Sequence, residues 1–269
     1  MQGQLFTQDF LARGIGDTEP WRALDDTDVD RFIAALRAIY APFSTASTRN
    51  EAQTEQQVIW PVLAELGWAD DWLPQVNASA TSRESVPDLL LFPDAAAKSK
   101  ALAERKDDRR YRHGIAIAEA KRWLRLLDRG DEADALDPGA PSSQMLRYLS
   151  RADVISDRAV KWGILTNGAV WRLYWQDARS RAEDFFELDV AALLGVSGVQ
   201  AESDGFESRH GLKLFFLLFH RAAFLRQTWD ARGRTFHQIA QNESRLYEER
   251  VSADLGARVF AEVFPDLAR

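Results

Sequence analysis

The sequence predicts an α/β fold: a central sheet flanked by helices, with a helical segment at the C-terminal end. Three observations carry this reading. Apolar runs of strand length recur at residues 86–92, 114–121, 159–165 and 170–175. Between them lie segments whose apolar residues repeat three and four apart, the spacing of a helix face. Asn167-Gly168, a strong two-residue hairpin signal, joins the last two runs. Strand patterns alternating with helical ones point to a layered α/β arrangement.

The elements follow in order. Residues 5–13 read as a short helix. Asp25-Asp26-Thr27-Asp28 opens another, with a capping side chain and acids in the first turn; Phe32, Ile33, Leu36 and Tyr40 give its face, and Pro42 ends it. Residues 50–67 form a second long helix with Val58, Ile59, Val62, Leu63 and Leu66 inward. Gly67 caps it, and Pro61 must kink it or remove a hydrogen bond. Glu55 precedes Val58 and Ile59 by three and four residues, so it shares their face.

Residues 72–77 read as an edge strand. In 86–92, Pro87 sits at the strand start. Asp88, Leu90 and Phe92 share one face, and Leu89 and Leu91 the other. Residues 94–112 are rich in Ala, Lys, Arg and Asp and read as a solvated helical excursion, with a phosphate-facing arm as the alternative. In the following run, period 2 puts Ile115, Ile117, Glu119 and Lys121 on one face. Ala116, Ala118 and Ala120 make a flat second face for a helix. Residues 130–141 form a loop. Ser142 or Ser143 caps a helix on which Gln144 and Tyr148, four apart, share a face. Residues 184–188 add an edge strand, 212–225 a core helix, and Asn242 or Ser244 opens a last helix with Tyr247, Val251, Leu255 and Val259 as its stripe.

Composition narrows the function classes. The chain has 269 residues and 46% hydrophobic content, enough for one large domain or two smaller ones. It contains no cysteine, which excludes disulfides, thiolate metal sites and cysteine nucleophiles and fits a cytoplasmic location. No signal peptide and no membrane-spanning run are read. A net charge of −7 argues mildly against nucleic acid, although a local groove can be basic inside an acidic chain. Nine tryptophans, spread along the chain, read as core filling rather than a stacking platform. His113, His210, His220 and His237 lack metal-site spacing. With neither a GxGxxG nor a Walker lysine loop, neither S-adenosylmethionine nor ATP has a site in this segment.

Two charges at the end of a buried strand are costly without a purpose. Neighbouring strands can bring Asp88 and Glu119 to one sheet edge, where two carboxylates repel unless a cation lies between them. Oxygen ligands select a hard ion, Mg²⁺ first and Mn²⁺ second. Such an ion polarises a phosphodiester and activates water. Lys121 can orient that water or neutralise developing charge.

Pro87-Asp88 followed by Glu119-Ala120-Lys121 resembles the PD-(D/E)xK nuclease motif. Glu55 stands where such nucleases carry an acid on the helix before the sheet. Gln144-Met-Leu-Arg-Tyr148 resembles their QxxxY element, and residues 161–174 resemble the strand pair after it. Together these are similar to the N-terminal nuclease domain of type IIG restriction–modification enzymes and of type I restriction subunits. The resemblance implies a restriction-endonuclease-like core with a central mixed sheet. It implies Asp88, Glu119 and the Ala120 carbonyl as metal ligands, Lys121 as the catalytic lysine, and Glu55, Gln144 and Tyr148 as supporting residues. It also implies double-stranded DNA as substrate. Methyltransferase and specificity parts would lie in the same longer chain or in partner subunits. Residues 1–200 would be the nuclease domain and 201–269 the start of a helical connector. Two other readings stand beside this one: a nuclease-fold module that binds or assembles without cutting, and a metal-free hydrolase using Asp88 and Glu119 as acid and base.

Overall fold

The computed structural model describes residues 2–78, 86–131, 138–196 and 207–262, with side chains described up to residue 255. The middle of the 130–141 loop and the Val259 side chain lie outside the described residues.

The architecture is α/β. The N-terminal helices are α1 (Gln8–Ala12), α2 (Glu19–Ala23) and α3 (Asp26–Tyr40). Asp25 caps α3 by accepting from the Thr27 N–H, as its acidic start predicts. The next helix runs from α4 (Glu51–Thr54) through a π-helical turn, Glu55–Ile59, into α5 (Trp60–Glu65). Asn50 and Gln53 form a reciprocal capping box at its start. Pro61 has no N–H to give, and the chain absorbs this by widening the turn just before it, where Trp60 N–H bonds back to Glu55 O. Gly67, at φ 77°, ends the helix. Its N–H bonds Ala64 O and the Trp68 N–H bonds Leu63 O, a Schellman motif.

The six-stranded sheet is β1 (Trp72–Pro74), β2 (Leu89–Leu91), β3 (Ala116–Ala120), β4 (Trp162–Thr166), β5 (Val170–Trp175) and β6 (Phe185–Asp189), in that spatial order. β3 and β4 run parallel, and the other neighbours are antiparallel, so the sheet is mixed. Between β2 and β3 lie α6 (Ala95–Ala103) and α7 (Asp107–Arg110), so the charged excursion is helical. A parallel pair requires a crossover, and α8 (Pro141–Ile155) supplies it. Then come α9 (Val190–Leu193), α10 (Ser208–Phe219), α11 (Arg221–Phe224) and α12 (Phe236–Glu262).

Both sheet faces are covered. Leu89, Leu91, Ala116, Ala118 and Ala120 belong to a cluster with Val62 and Leu63 of α5 and Phe215 and Phe219 of α10. Leu90, Phe92 and Ile117 lie in a second cluster with Met145, Leu149 and Ala152 of α8. The alternation read for 86–92 and 116–120 therefore divides the core in two. The first cluster runs from Leu5 to Ala240, so α10, α11 and the start of α12 share a core with the sheet.

Four local expectations change. Ile115 packs on the alanine side, because the backbone bends there before β3 begins. α8 starts at Pro141, not at a serine cap; proline at the first helical position already has the required φ. Residues 212–225 break at His220, whose Nδ1 accepts from the Ala222 N–H and caps α11. The last helix opens at Phe236, where Thr235 and Gln238 form a capping box. Ser244 lies inside that helix and accepts from the Thr7 N–H instead. Along α12, Tyr247 packs on the core, while Val251 and Leu255 are exposed. Among the described residues no helix is long and apolar enough to cross a membrane.

Candidate active site

The site lies at the C-terminal end of β3. The antiparallel register sets Leu89 opposite Ala118, so the next step outward sets Asp88 opposite Glu119. The two residues are tied twice. The Asp88 N–H donates to Glu119 Oε2 at 3.3 Å, and Asp88 Oδ2 accepts from the Ala120 N–H at 2.8 Å. In extended backbone a residue's N–H and C=O point to the same side, so the Ala120 carbonyl also faces the Asp88 edge.

Lys121 continues the ladder, with its N–H on Thr166 O at 2.8 Å. The alternation therefore holds past the strand end. Lys121 Nζ donates to Glu119 Oε1 at 2.8 Å, and both side chains are buried. Burial pushes the Glu119 carboxyl up to about 8, and the charge of Asp88 pushes the same way; Lys121 pulls against both. A buried carboxyl, Glu119, and a half-buried one, Asp88, meet beside Lys121, and a hard cation between the two would relieve their repulsion. The donor set of two carboxylates and a main-chain carbonyl is all oxygen, which fits Mg²⁺ or Mn²⁺. Among the described residues no three His, Cys, Asp or Glu side chains come together closely enough to hold an ion by themselves. Waters would have to complete the coordination.

Glu55 begins the π-helical turn and is half-buried. Burial raises its carboxyl to about 7, and the charges of Asp88 and Glu51 add to this while Lys121 opposes it. It therefore lies within the field of the strand-end charges. What holds it there was not readable beforehand. Thr54 Oγ1 donates to Asn50 O and accepts from the Trp123 N–H at 2.9 Å. That bond clips the helix carrying Glu55 to the segment just after Lys121. The two residues are 69 apart in sequence, and neither resembles a site residue.

α8 supplies the opposite wall. Gln144 Nε2 donates to the Tyr148 hydroxyl at 2.9 Å, four residues along one helix face. Tyr148 is buried, and its hydroxyl pKa is raised by burial and then by the Glu119 charge, so this face looks toward the carboxylates. Gln144 Oε1 is buried and has no hydrogen-bond partner among the described residues. Tyr111 is a further neighbour that sequence reasoning missed. It is fully buried and donates to Val76 O at 2.6 Å; burial first, then the charge of Asp107, and after it those of Tyr148 and Glu119, raise its hydroxyl pKa. It stands at the end of the charged excursion, where nothing in the pattern marks it.

Asp88, Glu119, Ala120 and Lys121 are in direct contact, Gln144 and Tyr148 are in contact with each other, and Glu55 is coupled through charge. No family model matches the chain, and neither a curated protein nor a solved structure matches it.

Proposed function

We propose that this chain is a metal-dependent endonuclease domain that hydrolyses phosphodiester bonds in double-stranded DNA, built on a restriction-endonuclease-like core. We further propose that it is the N-terminal part of a type IIG-like restriction–modification enzyme. A type I restriction subunit is the alternative setting. One observation carries the reading: Asp88 and Glu119 meet across β2 and β3 with Lys121 on the same carboxylate. The resemblance to the PD-(D/E)xK motif supplies the reaction class.

In this reading Asp88, Glu119 and the Ala120 carbonyl hold the ion. When bound, Mg²⁺ supplies Lewis acidity toward a phosphoryl oxygen and lowers the pKa of a bound water. Lys121 orients the attacking water or neutralises charge in the transition state. Glu55, whose raised carboxyl can hold a proton near neutral pH, assists through water. Gln144 and Tyr148 steady the wall, and Gln144 Oε1, buried and without a partner among the described residues, offers an acceptor to an internal water.

The test is cleavage of plasmid DNA with and without Mg²⁺, by the parent and by Glu119→Ala. Loss of cutting with an unchanged circular dichroism spectrum supports the reading. A Glu119→Ala protein that cuts as well as the parent would overturn it.

A second reading rests on burial. Glu119 and Lys121 are 3% and 4% exposed, as in a closed structural ion pair, and a binding or assembly module needs no more than that. Calorimetric titration with Mn²⁺ separates the two, because a purely structural pair gives no heat dependent on Asp88 and Glu119.

A further inference from the structure

The fold carries basic residues in two places, and they differ in how they are partnered. On the excursion between β2 and β3 three cations have acids beside them: Arg110 with Asp107, Arg112 with Asp157, and His113 with Glu104. Its exposed Lys100, Arg105, Lys106 and Arg109 share that stretch with Glu104, Asp107 and Asp108, so it is a solvated face of mixed sign. The second place is an open groove of about 790 Å³ between the outer face of α8 and the segment after β5. Arg147 and Arg151 of α8 line one side; Arg179 and Arg181 line the other. All four side chains are exposed, and the lining contains no acid. Arg151 donates to Ala78 O, and Arg181 reaches Ser150 and Gln176. Among the described residues none of the four has a carboxylate partner.

We infer that this groove is a seat for the phosphate backbone of duplex DNA, flanking the site on α8. The inference deepens the nuclease reading and rests on it for the choice of DNA. Four guanidinium groups with no carboxylate partner among the described residues, in a chain of net charge −7, are a local reversal of sign. Guanidinium groups match phosphate geometry and remain charged at any working pH.

The placement on α8 adds a second argument. α8 is the crossover from β3 to the parallel β4, so its first turns lie toward the C-terminal end of β3 and it runs back toward Trp175, where β5 ends beside Trp162 and the segment with Arg179 and Arg181 begins. At 100° per residue, Arg147 and Arg151 lie on the flank next to the face of Gln144 and Tyr148. From Gln144 to Arg151 the helix advances roughly 10 Å, about three base-pair steps of duplex. A strand whose phosphate sits at Glu119 would therefore pass its neighbouring phosphates along this flank. Such contacts fix register and orientation without reading sequence.

The experiment is fluorescence anisotropy of a labelled duplex in excess chelator, for the parent and for Arg147→Gln/Arg179→Gln, from 50 to 200 mM salt. Both replaced side chains are exposed, and a thermal melt checks the fold. Four phosphate contacts predict a slope of log affinity on log salt of about −3.6, so the parent loses about 150-fold over that range. Two contacts predict about −1.8, so the variant loses about 12-fold and binds more weakly throughout. An unchanged affinity and slope in the variant overturns the groove, and leaves the nuclease reading standing if the parent cuts DNA with Mg²⁺. A reduced slope when no protein cuts supports the groove and removes the nuclease reading. Failure of the parent to bind duplex, or arginine-dependent binding to anionic vesicles or single-stranded RNA in its place, also overturns the groove.

Discussion

Lys121 and Glu119, two residues apart on one strand face, form an ion pair of 2.8 Å from which water is nearly excluded. Removing one partner of a buried pair leaves the other uncompensated, a cost of about 3–5 kcal/mol, whereas replacing both with neutral groups can be close to neutral. Above pH 8, where the Glu119 carboxyl is ionised, Lys121→Met should therefore lower stability markedly, and adding Glu119→Gln should restore much of it. Neither protein should cut DNA, with losses of at least about 10²-fold. Urea melts and plasmid cleavage run in parallel separate the two roles. Recovery of cutting in the double variant would show that the pair is only structural.

The clip between Thr54 and Trp123 makes a second prediction. Thr54→Val is nearly isosteric but leaves the Trp123 N–H buried and unpaired, which costs about 1–3 kcal/mol. Thr54→Ser keeps the hydroxyl and should behave as the parent. If the clip positions Glu55, Thr54→Val should also slow cleavage at temperatures where it remains folded. Equal cleavage rates for the valine and serine variants would reduce the clip to a stabilising contact.

On α8, Tyr148→Phe removes the acceptor for Gln144 Nε2. One hydrogen bond is worth about 0.5–1.5 kcal/mol net, so the melting midpoint should move little. Groups that orient metal ligands typically change affinity or activity by about 10–100-fold. A tenfold loss of cleavage with little loss of stability would mark Tyr148 as a positioning residue. Proportionate loss of both would mark it as ordinary core.

What was legible in the sequence, and what was not, follows from the range of the interactions. The alternation in 86–92 and 116–120 could be read because each residue's face depends on its own position along a strand. The Asn50 side of the capping box, the Gly67 ending and the Asn167-Gly168 hairpin are equally local, and Gly168 adopts φ 83°. The π-helical turn at Glu55 was only half visible: Pro61 announced a defect, but the turn's position is tied to how Val58 and Ile59 enter the core. The start of α12 was missed because the stripe from Tyr247 drew the helix downstream. The buried apolar residues of that helix, Phe236, Ile239 and Ala240, lie earlier, and Val251 and Leu255 face water. Pairs such as Thr54–Trp123, or Arg172 with Asp128 and Glu187, join residues whose separation no single-sequence period encodes.

The last prediction concerns pH in the absence of metal. Burial holds His237 and His220 down to about 4, and Arg221 adds to the effect on His220; the unfolded value is near 6.5. Below 6.5 the unfolded chain binds protons that the folded one refuses, so these groups lower stability as pH falls toward 4. Glu119 and Glu55 act in the opposite sense. Their folded values of about 8 and about 7 exceed the unfolded 4.5, so the folded chain retains protons that the unfolded one releases. Stability from these two is present below 4.5 and is lost as pH rises toward 8, less for the half-exposed Glu55 than for Glu119. Between 4.5 and 6.5 the two sets oppose each other, and above 6.5 the carboxyls act alone. Urea midpoints in excess chelator should therefore vary little from pH 5 to 6.5 and decline from 6.5 to 8, by up to about 1.4 kcal/mol per pH unit for each proton released. Glu119→Gln should flatten the decline. Mg²⁺ should offset it above pH 7, since the ion binds the deprotonated carboxylates. A midpoint that rises steadily from pH 6.5 to 8 without metal would show that Glu119 is already ionised in the folded chain, and that Lys121 neutralises it fully.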